Sequence, residues 1–158
     1  MAESREAMEE ILGALRERAK ELSCLYRIDE ILSHTETPLE EALREVVGVL
    51  PAGWKYPELC RAELNLEGSV YTSSRFEPTP WFMKSNITIE GDTVGELAVF
   101  YMEERPSEDE GPFLKEERRL VEAIAERIGY FVFQRRLKKA RARWEEVANT
   151  SSRDQPWV

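Results

Sequence analysis

Histidine occurs once, at His34, and cysteine only twice, at Cys24 and Cys60, in a chain of 158 residues. That supply excludes a disulfide framework and a four-cysteine zinc site, and it weakens metal and proton-shuttle mechanisms from the start. Long apolar runs are lacking too. The longest, Val46 to Trp54, is broken by Gly48, Pro51 and Gly53, far short of the roughly 18 residues a membrane helix needs. The opening MAESREAMEE is acidic, without the basic and apolar regions of a signal peptide, so a cytoplasmic, reducing location is expected. Glycine-rich phosphate loops, Cys-x-x-Cys pairs, repeats and low-complexity tracts are missing, and no cofactor is expected.

What is present fits one domain able to bury a core without metal or disulfide. The net charge of -9 is unevenly spread. Residues 1–110 carry 11 cationic and 24 anionic side chains, a net of -13, whereas 111–158 carry 11 and 7, a net of +4. Arg135, Arg136, Lys138, Lys139, Arg141 and Arg143 form a run with no anion between them. Such a run reads either as a solvated helix face turned toward acidic surfaces or as a nucleic-acid patch. The acidic remainder repels phosphate backbones, so nucleic acid is the disfavoured partner.

Helical spacing runs from Ser4 to Ser33. Met8, Leu15 and Leu22 stand seven apart, Ile11, Leu25 and Leu32 hold companion positions, and Arg18 interrupts, which predicts a short imperfect coiled coil. Cys24, Ile28 and Ile31 add a second apolar row. Thr37-Pro38-Leu39-Glu40 reads as a helix start with Thr37 as cap and Glu40 completing a capping box, and the helix stops at Pro51-Ala52-Gly53. Cys60, Ala62, Leu64 and Leu66 alternate as a strand, Glu67-Gly68 turns, and Ser69 to Ser74 returns. A third strand is expected over Trp81 to Ile89. A fourth over Val94 to Tyr101 is apolar on both faces at Leu97-Ala98-Val99-Phe100-Tyr101 and therefore central. From Pro112 a long helix runs to about Ala148 with two rows of its own: Val121, Ile124, Ile128 and Phe131, then Phe133, Leu137, Ala140, Trp144 and Val147.

The segment Val94-Gly95-Glu96-Leu97-Ala98-Val99 followed by Gly111-Pro112-Phe113-Leu114-Lys115-Glu116-Glu117 resembles the closing strand and helix of GAF domains. Glu21 to Tyr26, with Pro51-x-Gly53-Trp54-x-Tyr56-Pro57-Glu58, is similar to a compact GAF-type subgroup found ahead of bacterial sensor kinases and phosphoenolpyruvate-utilising enzymes. The resemblance covers roughly residues 20–135. It implies an α+β fold: an antiparallel sheet of about four strands with long terminal helices packed on one face. The implied divisions are an N-terminal helix for dimerisation and signalling, 1–34, a GAF-like core, 35–113, a C-terminal helix, 114–148, and a frayed tail, 149–158. Larger members carry an added helix and lid loops where this chain has only Arg75 to Pro80, so the pocket should be small or absent. Neither the Asn-Lys-Phe-Asp-Glu signature of cyclic-nucleotide binders nor a cysteine placed for bilin attachment is present, and no kinase or cyclase activity carries over.

No catalytic constellation emerges. His34 reads as an exposed helix C-terminal residue, Cys24 and Cys60 as buried thiols, and the acidic residues Glu103, Glu104, Glu108, Asp109 and Glu110 as a loop without EF-hand spacing. The best candidate binding site is aromatic: Tyr71, Phe76, Trp81 and Met83, with Trp81 and Met83 on the sheet face away from the helices and Phe82 on the other; ordinary core packing is the competing reading. A homodimer is expected through Met8, Ile11, Leu15, Leu22, Leu137 and Trp144, because both terminal helices outrun a four-stranded sheet. The resulting expectation is a non-enzymatic, cytoplasmic signalling or sensor module. It would regulate a protein partner such as a kinase, with room for a small-molecule ligand, and no metal or membrane. The alternatives are a regulatory segment of a sensor histidine kinase or phosphoenolpyruvate-utilising enzyme, and a nucleic-acid binder using 135–143.

Overall fold

A computed structural model describes residues 2–153. Helix α1 spans Ala2–Ser33, α2 spans Leu39–Val49, and α3 spans Lys115–Arg153. Strands β1 (Cys60–Leu66), β2 (Ser69–Thr72), β3 (Phe82–Ile89) and β4 (Asp92–Tyr101) form one antiparallel sheet in the order β2-β1-β4-β3. The fold is the expected α+β arrangement, with β4 and β1 central. Both hairpins turn on a Glu-Gly pair with positive φ, 50° and 89° at Glu67 and Gly68, 51° and 86° at Glu90 and Gly91. That pattern matches the twist of the strands it joins.

Strand alternation decides which side chains enter the core. Cys60, Ala62, Leu64 and Leu66 of β1 share a face with Leu97, Val99 and Tyr101 of β4, and all are buried. Helix α2 packs on β1 and β2, and α3 on β3 and β4, whereas α1 lies mainly on α2, α3 and the 3-10 turn Leu50–Gly53. Gly129 sets the closeness of α3 to β3: a Cβ there would stand 2.7 Å from the Thr88 carbonyl oxygen. Within α3, Val121, Ile124 and Ile128 are fully buried and Phe131 nearly so, as expected for the row that covers the sheet.

Several boundaries differ from expectation: α1 starts at Ala2, β2 ends at Thr72, β3 starts at Phe82 and β4 at Asp92, and three further differences have a visible cause. Pro38, not Thr37, holds the cap position of α2, and no side chain caps it; the first turn closes through the Ala42 N–H on the Pro38 carbonyl at 3.0 Å. Helix α3 starts at Lys115 rather than Pro112, because Gly111, with φ 58°, turns the chain so that Glu110 and Phe113 pair as a β-bridge. At its other end α3 continues to Arg153, so the part of the expected tail from 149 to 153 is helical. Residues 154–158 lie outside the described residues.

The two terminal helices run in the same direction. Glu21 and Leu25 lie beside Glu116 and Leu120, Asp29 Oδ1 accepts from Arg127 Nε at 2.8 Å, and the His34 carbonyl accepts from Arg135 at 2.9 Å. Position advances together along both chains, so α1 and α3 are parallel. Residues 2–17 of α1 therefore extend past one end of the shared segment and 136–153 of α3 past the other.

Candidate functional site

The four aromatic and sulfur side chains expected to line one pocket are divided between two faces. Tyr71 pairs with Leu64 and Met83 with Val99, which puts both on the helix-covered side, buried at 8% and 2% exposure. Trp81 joins them: its carbonyl accepts the Tyr101 N–H at 2.8 Å, and its ring packs against the core. Phe76 alone reaches the open face, where it meets Phe100 at 5.1 Å between centroids, with Phe82 on the other side of Phe100 at 5.6 Å. Alternation placed Trp81 and Met83 together and Phe82 opposite; the side assigned to each set is corrected. On the open face a hollow of about 70 Å³ lies beside Glu63, Lys84 and Phe100. Small-molecule sites ordinarily occupy about 300–1,000 Å³.

The most unusual polar group is Glu117, 1% exposed at the start of α3. Its Oε1 accepts the Leu114 N–H at 2.7 Å, and its Oε2 accepts the Lys55 N–H at 2.8 Å and the Tyr101 hydroxyl at 3.2 Å. Burial raises its pKa above the ordinary carboxylate value, while those three donors pull the other way. Burial likewise pushes the Tyr101 hydroxyl up, with the Glu117 charge adding to it. This carboxylate ties together the segment after α2, the end of β4 and the start of α3, and its contacts are all structural. Sequence reasoning passed over it. The usable signal was a glutamate at the third position of a helix, from which it reaches back to the N–H preceding the first turn.

The other candidate groups are accounted for within the chain. Cys24 lies in the core beside Gly53, its thiol 3.6 Å from the Leu50 carbonyl, and burial raises its pKa to about 11. Cys60 is buried and shifted upward by the same cause. Neither thiol has the exposed, cation-rich setting of a nucleophile. His34 is exposed. In the acidic loop, Glu108 pairs with Lys55 at 3.3 Å, Glu103 with Arg105 at 2.7 Å, Glu110 with Arg118, and Asp109 accepts the Lys115 N–H at 3.0 Å, while Glu104 is exposed. Among the described residues no cluster of three or more His, Cys, Asp or Glu side chains is placed to hold a metal.

The largest unpartnered surfaces are on the helices. Met8, Ile11, Leu15, Leu22, Leu137 and Trp144 are all between 44% and 73% exposed. Leu12 and Tyr26 widen the row on α1, and Tyr130 and Val147 lengthen the row on α3. Where α1 ends against α3, an open groove of about 830 Å³ is floored by Leu32, Tyr130, Phe131 and Leu137 and edged by cations that include Lys138 and Arg141. Of the basic run, Arg135 is spent on the His34 carbonyl and the Phe131 ring, and Arg136 on Glu67. Lys138, Lys139, Arg141 and Arg143 are exposed. Among the described residues no helix is long and apolar enough to cross a membrane. The chain matches no known protein-family profile and no curated protein sequence.

Proposed function

We propose that the protein is a non-catalytic, GAF-like signalling module that dimerises through its terminal helices and acts by binding other proteins. The observation that carries this reading is the pair of exposed apolar rows, on α1 from Met8 to Leu22 and on α3 from Leu137 to Val147. Contiguous apolar stripes of this length on bare helix are costly to leave in water and are characteristic of interaction surfaces. The sheet face where the resemblance expects a ligand has only a small hollow near Phe100, and the larger space, beside Tyr130 and Leu137, is an open trough between helices, which favours a protein-binding role over metabolite sensing. The fold agrees with what the GAF resemblance implies: four antiparallel strands with the helices on one side. A regulatory segment of a sensor histidine kinase or phosphoenolpyruvate-utilising enzyme is a variant of the same reading, in which the regulated partner is a catalytic unit.

Native mass spectrometry of protein purified from a cytosolic host tests the reading. The expected species is a dimer with no additional mass. A small molecule released on mild denaturation would instead make the module a ligand sensor, and a monomer at tens of micromolar would remove the dimer altogether. Salt-dependent retention on DNA would move the basic helix to a nucleic-acid role.

A further inference from the structure

The two overhangs of this chain differ in sign as well as in direction. Residues 2–17 hold Glu3, Glu6, Glu9, Glu10 and Glu17 against Arg5 and Arg16, a net of -3. Residues 136–153 hold six cations against Glu145 and Glu146, a net of +4. Because α1 and α3 are parallel, these segments leave opposite ends of the shared helical region and cannot meet within one chain. At 1.5 Å per residue each is about 25 Å long.

Resting on the reading that the protein is a dimer, we infer that the two copies lie antiparallel, the acidic overhang of α1 from each copy packing along the basic overhang of α3 of the other. A two-fold axis perpendicular to the helices, passing through the middle of the shared segment, brings overhangs of matching length side by side and makes the contact twice. Such an interface is isologous and closed. The apolar row Met8, Ile11 and Leu15 then faces Leu137, Trp144 and Val147. The groove beside Tyr130 and Leu137 receives the base of the incoming overhang, around Leu15 and Leu22, while its tip reaches toward the end of α3.

The parallel alternative fails on charge. In the α3 row, Leu137 and Trp144 hold equivalent positions seven apart, with Ala140 and Val147 between and after them. The flanking positions are Arg136, Arg141 and Arg143. A parallel pairing of two α3 helices lays the exposed Arg141 and Arg143 of one copy beside the same cations of the other, where opposite charges ordinarily select the partner. It also leaves the acidic overhangs side by side. The antiparallel arrangement replaces both repulsions with attraction.

Charge-reversal variants at exposed positions separate the outcomes. One chain carries Glu3→Lys, Glu6→Lys and Glu10→Lys, a second Lys138→Glu, Arg141→Glu and Arg143→Glu, and a third all six changes. Dimer dissociation constants are read by sedimentation, with circular dichroism as the check on folding. Each triple variant is expected to weaken the dimer at least tenfold, and the six-fold variant to recover most of that loss. A dimer indifferent to the triple variants, or a six-fold variant no better than either, overturns the antiparallel pairing and leaves the dimer itself standing. A ladder of larger species overturns the closed two-fold form. A monomeric wild type overturns the dimer and the pairing together. Orientation has a second readout, in a chain carrying Ala140→Cys alone. In the antiparallel dimer the two positions are roughly 40 Å apart at 1.5 Å per residue and should not cross-link on mild oxidation. A rapid disulfide between the two copies at 140 sinks the proposal.

Discussion

The same helix behaves in opposite ways along its length. Between Val121 and Val132, α3 lies on β3 and β4 with Ile124, Ile128 and Val132 fully buried, whereas from Leu137 onward its apolar residues are exposed. Helix α1 repeats the contrast in reverse, bare at Met8 to Leu15 and buried at Cys24 and Ile28. Local sequence does not separate the two regimes, since each half has apolar residues at helical spacing. The difference lies in where the sheet ends beneath α3 and where α2, α3 and the 3-10 turn end beneath α1. Helical periodicity therefore identifies a surface that wants a partner, and the topology decides whether the partner is the chain's own core or another molecule.

The sharpest way to break that contrast is to truncate one side chain in each half. Ile128→Ala removes a fully buried side chain and is expected to cost about 2–5 kcal/mol in urea unfolding. Leu15→Ala, on the bare half, should change unfolding by less than about 0.5 kcal/mol at concentrations where the protein is monomeric. Equal losses would mean that the overhang is core. Gly129→Ala comes next, at about 1–3 kcal/mol, because the added carbon meets the Thr88 carbonyl oxygen rather than a side chain that can move aside. A neutral result there would show that α3 is free to lift from β3.

Glu117→Gln should cost about 1–3 kcal/mol, since an amide cannot accept from all three donors that converge on the carboxylate. Its pH dependence has a definite sign. A carboxyl whose folded pKa lies above its ordinary 4.5 binds more protons in the folded state. Its contribution is then fullest below that value and falls as pH rises through the raised folded pKa. Burial of Glu21 gives the same sign, so the quantity to compare is the difference between wild type and Glu117→Gln from pH 4.5 upward. That difference should shrink as pH rises; growth would mean that the donors outweigh burial. The smallest effect on folding is expected from Leu15→Glu with Leu137→Glu, which should abolish the dimer while leaving the circular dichroism spectrum unchanged.

Most of the architecture was legible because each element states its period plainly. Cys60, Ala62, Leu64 and Leu66 define β1 to the residue, and the Glu-Gly pairs mark both hairpins. The exposed rows were legible for the same reason: Met8, Leu15 and Leu22 had no second use. What escaped depended on contacts distant in sequence. Alternation assigns Met83 and Phe82 to opposite faces but cannot say which face the helices cover, and the supposed pocket was reversed on that point. The start of α3 escaped because a bridge between Glu110 and Phe113 overrides the helical preference of the residues around Pro112. Glu117 escaped because a charged residue among charged neighbours carries no mark of burial.

One contact of Arg118 governs a property unrelated to the helices. The Trp81 carbonyl bonds to Tyr101, so by alternation the backbone groups of Phe82, Lys84 and Asn86 point away from β4, along the outer edge of the sheet. A row of unpaired amides and carbonyls of this kind is a template for adding foreign strands. Arg118 reaches around from α3 and occupies the Lys84 carbonyl at 2.5 Å, and the register slips between Ile87 and Thr88 a few residues further on. The β3 edge is thus occupied at one point and irregular at another, features that disfavour the addition of a foreign strand along it.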